Sequence, residues 1–327
     1  MRSDRKWWIK KSNESTPLHT KPIILGQDCP LPLASPASNA RWLFFGLWAA
    51  ALSLLFWKPL FGVFQLAMRD DTYSYILLIP FMFAWLLYSE RKQPLLAAGI
   101  SIWPSLILLV PGILLAFFPS RCNSCSPTSN LSLYSGSLVL LLIAGFILIL
   151  GHLKARASAF SLSFLIFAIP IPDYLLGRII YWLQAGSAAV ASVLFDLSGA
   201  PVLREGFVFR LPKISIEVAQ ECSGIRSSMA LLILALILAH FAFRPLWKKL
   251  AFVVAGLCMM LIKNGVRIVS LTLLANYVDP NFLYGSLHHK GGIVFFLIGL
   301  ALLVPVFWFL RKGEPSAVLQ PSPSKGI

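Results

Sequence analysis

Charge is scarce in this chain. Charged residues make up 13% of its 327 residues, with 13 acidic against 28 lysines and arginines. A water-soluble domain of this length carries about 25% charged residues, so that class is excluded. Metal ligands are few and scattered. His152, His240 and the pair His288/His289 fall in different segments, without the clustered spacing that zinc requires; no metal and no cofactor is expected. A phosphate-cradling glycine loop and a Gly-x-Ser-x-Gly elbow are also missing, which removes the common nucleotide-binding and serine-hydrolase readings. An early apolar run with a small-residue cleavage site is lacking, so a removable signal peptide is not expected. The net charge of +15 would suggest nucleic acid in a soluble protein. Here the basic residues sit mostly between apolar runs or in the tails, where they act as topology signals, and no basic helix with interleaved aromatics stands apart from them. Nucleic acid is therefore not an expected partner.

What the chain has in abundance is apolar sequence: 57% hydrophobic residues and a mean hydropathy of +0.77. Crossing a hydrocarbon core of about 30 Å takes roughly 20 helical residues. Open sheet edges cannot live in lipid, so helices are the default for such runs. The expected fold is an all-α multi-pass membrane protein of about eight transmembrane helices, at 43–64, 73–88, 95–118, 131–150, 157–172, 225–243, 250–276 and 291–310. Pro80, Pro104 and Pro111 lie inside these runs and should kink them. Lipids are the expected surroundings. The basic, Ser- and Pro-rich stretch 1–41 reads as a disordered cytoplasmic tail, 42–312 as the membrane domain and 313–327 as a second cytoplasmic tail.

Residues 175–197 are ambiguous, being apolar but broken by Arg178, Gln184, Ser187, Ser192 and Asp196. If this stretch does not cross, the basic groups of the first tail, of 91–92, 154–156 and 244–249, and of the end of the chain all fall on the inner side, as the positive-inside bias favours. The expectation is eight spans with both ends inside and 175–197 at or dipping into the outer interface. Between 199 and 220 the residues alternate in parts, as in Lys213-Ile214-Ser215-Ile216-Glu217-Val218, a pattern for a short external strand or hairpin. A substrate strand could add to its edge.

Three groups of reactive residues then fall at one depth. Cys222, in Glu221-Cys222-Ser223-Gly224-Ile225-Arg226, stands where an apolar helix begins. A helix N-terminus and Arg226 one turn later would both stabilise its thiolate; a small thiol packing a helix end is the structural alternative, with Gly224 permitting close packing. Arg267 lies within an apolar span, where a guanidinium costs several kcal/mol unless it meets a partner or a cavity. Lys263, Asn264, Arg267 and Ser270 share one helical face; a snorkelling cation is the alternative. His288 and His289 precede Gly291 and Gly292, which begin the last span, and either imidazole could serve as a base. Together they form a Cys/His pair for acyl transfer with a guanidinium for an oxyanion or a carboxylate. Cys122 and Cys125 could form a disulfide or a redox pair in an outer loop; Cys29 and Cys258 are most simply unpaired thiols.

Glu221-Cys222-Ser223-Gly224-Ile225-Arg226-Ser227, then Asn264-x-x-Arg267, then His288-x-x-x-Gly292 resembles the exosortase/archaeosortase family of membrane transpeptidases. Pro170-x-Pro172, Gly199-Ala200-Pro201-Val202, Gly206 and the stretch from Tyr73 to Arg91 extend the resemblance over roughly residues 60–310. The resemblance implies Cys222 as nucleophile, Arg267 as an essential arginine and His288 as general acid/base, ahead of His289 because its glycine follows four residues later. Glu221, Ser223, Gly224, Arg226, Asn264, His289 and Gly292 become supporting or substrate-binding positions. It further implies a bacterial cytoplasmic membrane location with the site facing outward. The implied partners are exported proteins whose C-terminal signal combines a short Pro-Glu-Pro-like motif, a transmembrane helix and a basic cluster. A second reading from a different class is a transporter or polysaccharide-export component, with Glu221, Lys263 and Arg267 lining a path for an anion. The two differ in what they ask of sulfur, since a transporter tolerates Cys222→Ser and a thiol nucleophile does not.

Overall fold

The apolar runs fold into helices throughout. In the computed structural model, residues 36–90, 101–119, 126–218, 225–279 and 292–312 are described. The helices are α1 (Pro36–Leu55), α2 (Trp57–Arg69), a 3-10 helix (Asp71–Leu78) running into α3 (Ile79–Glu90), α4 (Ile102–Phe117), α5 (Pro127–Leu150), α6 (His152–Ala157), α7 (Ala159–Phe164) with a 3-10 extension (Leu165–Ala168), α8 (Asp173–Ser198), α9 (Ile225–Ala242), α10 (Leu246–Tyr277) and α11 (Gly292–Arg311). Strands β1 (Leu203–Glu205), β2 (Val208–Arg210) and β3 (Ser215–Glu217) form an antiparallel sheet in the order β1-β2-β3, with Leu203 opposite Arg210 and Val208 opposite Glu217. The protein is a multi-pass, all-α membrane protein with one small sheet.

Among the described residues, six helices are long and apolar enough to cross a membrane, or seven if a bent pair is one span. That pair is α1 and α2, which meet at Phe56 with a bend of 76°, so the run 43–64 is not one straight helix. Pro59 is the physical reason. Its ring cannot continue a helix from the preceding turn, but it fits the first turn of a new one. Pro80 and Pro104 likewise occupy first turns, of α3 and α4, rather than kinking helix interiors; Pro111 does lie inside α4. Two of the expected spans are short. The run 95–118 yields the 16-residue α4, and 157–172 yields an apolar helix of Ala159–Ala168 that is partly 3-10. Helix α1 starts at Pro36, inside the stretch expected to be tail.

Side-chain contacts order the ends of the bundle. At the end where α9 starts, the upper end, Arg226 pairs with Asp71 at 2.7 Å, the buried Tyr73 hydroxyl donates to the Ile171 carbonyl at 3.0 Å, and Ser132 Oγ donates to the Pro170 carbonyl at 2.7 Å. At the lower end, Glu90 closes α3 beside His240 of α9, 3.9 Å from carboxylate to imidazole, and Phe160 stacks on the His240 ring at 3.8 Å. Lys154 of α6 is buried there and donates to the Glu90 main-chain carbonyl at 2.9 Å. Burial lowers the Lys154 pKa, and the Glu90 carboxylate partly opposes that shift.

Helix α8 is continuous over 26 residues and long enough to span, yet its contacts bind it to the upper end. It starts just after Ile171, and Ser187 accepts a hydrogen bond from Asn264, next to a residue that touches the third residue of α9. Farther on, Phe195 packs on Phe209 of β2 at 5.3 Å. These two rings join Ala188, Ala191, Val218, Ile268 and Val269 in one buried cluster, so the sheet sits against α8 and the upper part of α10. Gly199 ends α8 with φ of 68° and Gly206 turns β1 into β2 with φ of 64°, backbone that glycine adopts without the steric cost of a Cβ.

Candidate functional site at the start of the ninth helix

Helix α9 begins at Ile225, three residues after Cys222, and α11 begins at Gly292, four residues after His288. Glu221, Cys222, Ser223, Gly224, His288 and His289 themselves lie outside the described residues, as do Cys29, Cys122 and Cys125. What the structure describes is the polar ground that these segments adjoin.

Helix α10 supplies most of it. The helix runs antiparallel to α9 after a short turn at 243–245. Lys263 Nζ meets Ser227 Oγ at 2.5 Å, which fixes the level at which the two helices face each other. Lys263 is only 2% exposed. Its stem crosses the face of α11 at Gly299, where an added Cβ would stand 3.1 Å from the lysine Cδ. Asn264, also buried, points the other way and donates to Ser187 of α8 at 2.9 Å. Close packing permits this: an added Cβ on Gly265 would lie 2.5 Å from Val190 Cγ1. Arg267 follows one turn above Lys263, about 6 Å along the axis, and is half-buried. The face expected to carry Lys263, Asn264, Arg267 and Ser270 thus divides between two neighbours, with Lys263 toward α9 and α11 and Asn264 toward α8.

Arg226 sits in the first turn of α9, and its guanidinium meets the Asp71 carboxylate; the side chains are 63% and 79% exposed. Asp70 anchors the Asp71 segment by accepting a hydrogen bond from the Thr72 N–H at 2.8 Å. The pairing of Arg226 with an acid 155 residues away carries no local signal, and sequence reasoning missed it. The same holds for Ser187 and Ser227 as partners of Asn264 and Lys263. Lys263 was visible as a member of the polar stripe, but its burial and its place between three helices were not. Cys258 on α10 is a free, exposed thiol. Among the described residues no group of three or more His, Cys, Asp or Glu could hold a metal ion.

The arrangement offers cations and hydroxyls at the start of α9, suited to holding an anion or a developing oxyanion. No curated protein and no solved structure matches the chain. The model of the transmembrane exosortase family matches residues 65–305, a stretch that takes in α10, the start of α9 and the segments carrying Cys222 and His288. The chain belongs to the transmembrane exosortase family.

Proposed function

We propose that this protein is a cysteine transpeptidase of the bacterial cytoplasmic membrane that cleaves C-terminal sorting signals from exported proteins on the outer face. The observation that carries the reading is the position of Arg267. It stands one turn above the contact between Lys263 and Ser227, on the helix packed against the start of α9, and α9 begins three residues beyond Cys222 in the sequence.

In this reading Cys222, as thiolate, attacks the peptide carbonyl near a Pro-Glu-Pro-like motif. A tetrahedral oxyanion forms, for which Arg267 is the candidate donor. The C–N bond breaks as protonated His288 gives its proton to the departing amine, leaving a thioester on Cys222. An acceptor amine or water then attacks the thioester, His288 takes the acceptor's proton, and the thiolate is released. Glu221, Ser223, Gly224, Arg226, Asn264, His289 and Gly292 are assigned to supporting or substrate-binding positions.

The test is processing of a co-expressed protein bearing such a signal, at matched membrane abundance. Cys222→Ser, Arg267→Ala and His288→Ala should each abolish cleavage, whereas Cys258→Ser should not, since that exposed thiol lies in the lower half of α10. His289→Ala decides which imidazole acts. Normal processing by Cys222→Ser would remove the nucleophile and favour a transport role.

A further inference from the structure

A buried ammonium in a membrane helix needs a reason. Removing it from water costs several kcal/mol unless hydrogen bonds or a counter-charge offset the loss. Lys263 is almost fully buried, and among the described residues its ammonium meets no carboxylate; it meets the Ser227 hydroxyl. Its stem lies in the space left by Gly299. One side chain therefore touches three helices: α10, which carries Arg267 one turn above; α9, whose first turn follows Cys222; and α11, which His288 precedes. The adjacent Asn264 ties the same turn of α10 to α8 through Ser187.

We infer that Lys263 is a positioning residue for the proposed reaction. Through Ser227 it fixes where the first turn of α9 stands relative to Arg267, and through Gly299 it fixes the approach of α11. The inference rests on the transpeptidase reading and adds to it a residue that touches neither substrate nor the reacting atoms. Its mechanism is geometric. A displacement of about 1 Å between reacting groups can cost about a hundredfold in rate, and such supports act on turnover more than on binding.

The experiment measures kcat and KM for signal processing by Lys263→Met, Lys263→Arg and Ser227→Ala, alongside the rate at which a thiol reagent alkylates Cys222 in isolated membranes. Lys263→Met should lower kcat about a hundredfold with KM nearly unchanged, and should alter the alkylation rate of Cys222. Ser227→Ala, which keeps the lysine, should move both in the same direction by less. Lys263→Arg should restore part of the kcat. If Lys263→Met is inserted in normal amount and retains wild-type kcat while Cys222→Ser is inactive, the positioning role is wrong and the transpeptidase reading survives. If Cys222→Ser processes normally, the transpeptidase reading falls and alkylation alone decides: an unchanged rate in Lys263→Met overturns the inference. Reduced abundance with unchanged kcat per molecule also overturns it, because that is what simple structural support predicts.

Discussion

Among the described residues two lysines are buried, one toward each end of the bundle, and they are satisfied differently. Lys154 donates to the main-chain carbonyl that closes α3, with the Glu90 carboxylate and His240 nearby. Lys263 has, among the described residues, a hydroxyl and no acid. The lower cluster has its counter-charge at hand and joins α3, α6 and α9. The upper lysine lies below a second cation, Arg267, in the part of the bundle that Cys222 and His288 adjoin in sequence. The contrast teaches that burial of a cation does not by itself mark function; the company it keeps does.

The sharpest way to break this comparison is to remove each ammonium in turn. Lys263→Met is expected to cost about a hundredfold in turnover, and Lys154→Met to leave turnover within about threefold; a large loss from Lys154→Met would erase the distinction between the ends. A second contrast lies within α10. An alanine at Gly265, in the upper part, would place its Cβ 2.5 Å from Val190 and 3.3 Å from the Ala191 nitrogen, whereas at Gly256, lower down, it would meet only the Ala235 Cβ at 3.2 Å. Gly265→Ala should destabilise by about 1–3 kcal/mol and Gly256→Ala by clearly less, read from thermal unfolding in detergent.

Two smaller effects follow. Burial lowers the Lys154 pKa below its usual 10.5, so the unfolded chain holds that proton more tightly than the folded one. Stability should rise as pH climbs from the lowered value toward 10.5, and Lys154→Met should flatten that slope. Least of all, Asp71→Asn removes an exposed ion pair with Arg226 and should cost no more than about 1 kcal/mol.

Much of the architecture was legible in the residues. The expected spans 225–243, 250–276 and 291–310 correspond to Ile225–Ala242, Leu246–Tyr277 and Gly292–Arg311, because long apolar runs bounded by Gly, Pro and basic residues leave little choice. The alternation in 199–220 was legible too, although it forms three strands instead of a hairpin. The break at Phe56 was readable in principle from Pro59. What hydropathy could not convey was the path of α8: a 26-residue apolar helix has the length of a span, and only contacts from Gln184, Ser187 and Phe195 to Val218, Asn264 and Phe209 show what holds it. Within the site, the stripe on α10 followed from helical spacing, whereas its partners Ser187, Ser227 and Gly299 come from distant segments that no periodicity connects.

Gly299 carries one more consequence. Successive residues on a helix are set about 100° apart, so turning α11 by one residue in either direction would bring Ile298 or Leu300 onto the lysine stem now facing Gly299. The bare backbone acts as a keyway and the lysine as its key. The rotational phase of α11 is thereby indexed to the same turn of α10 that precedes Arg267.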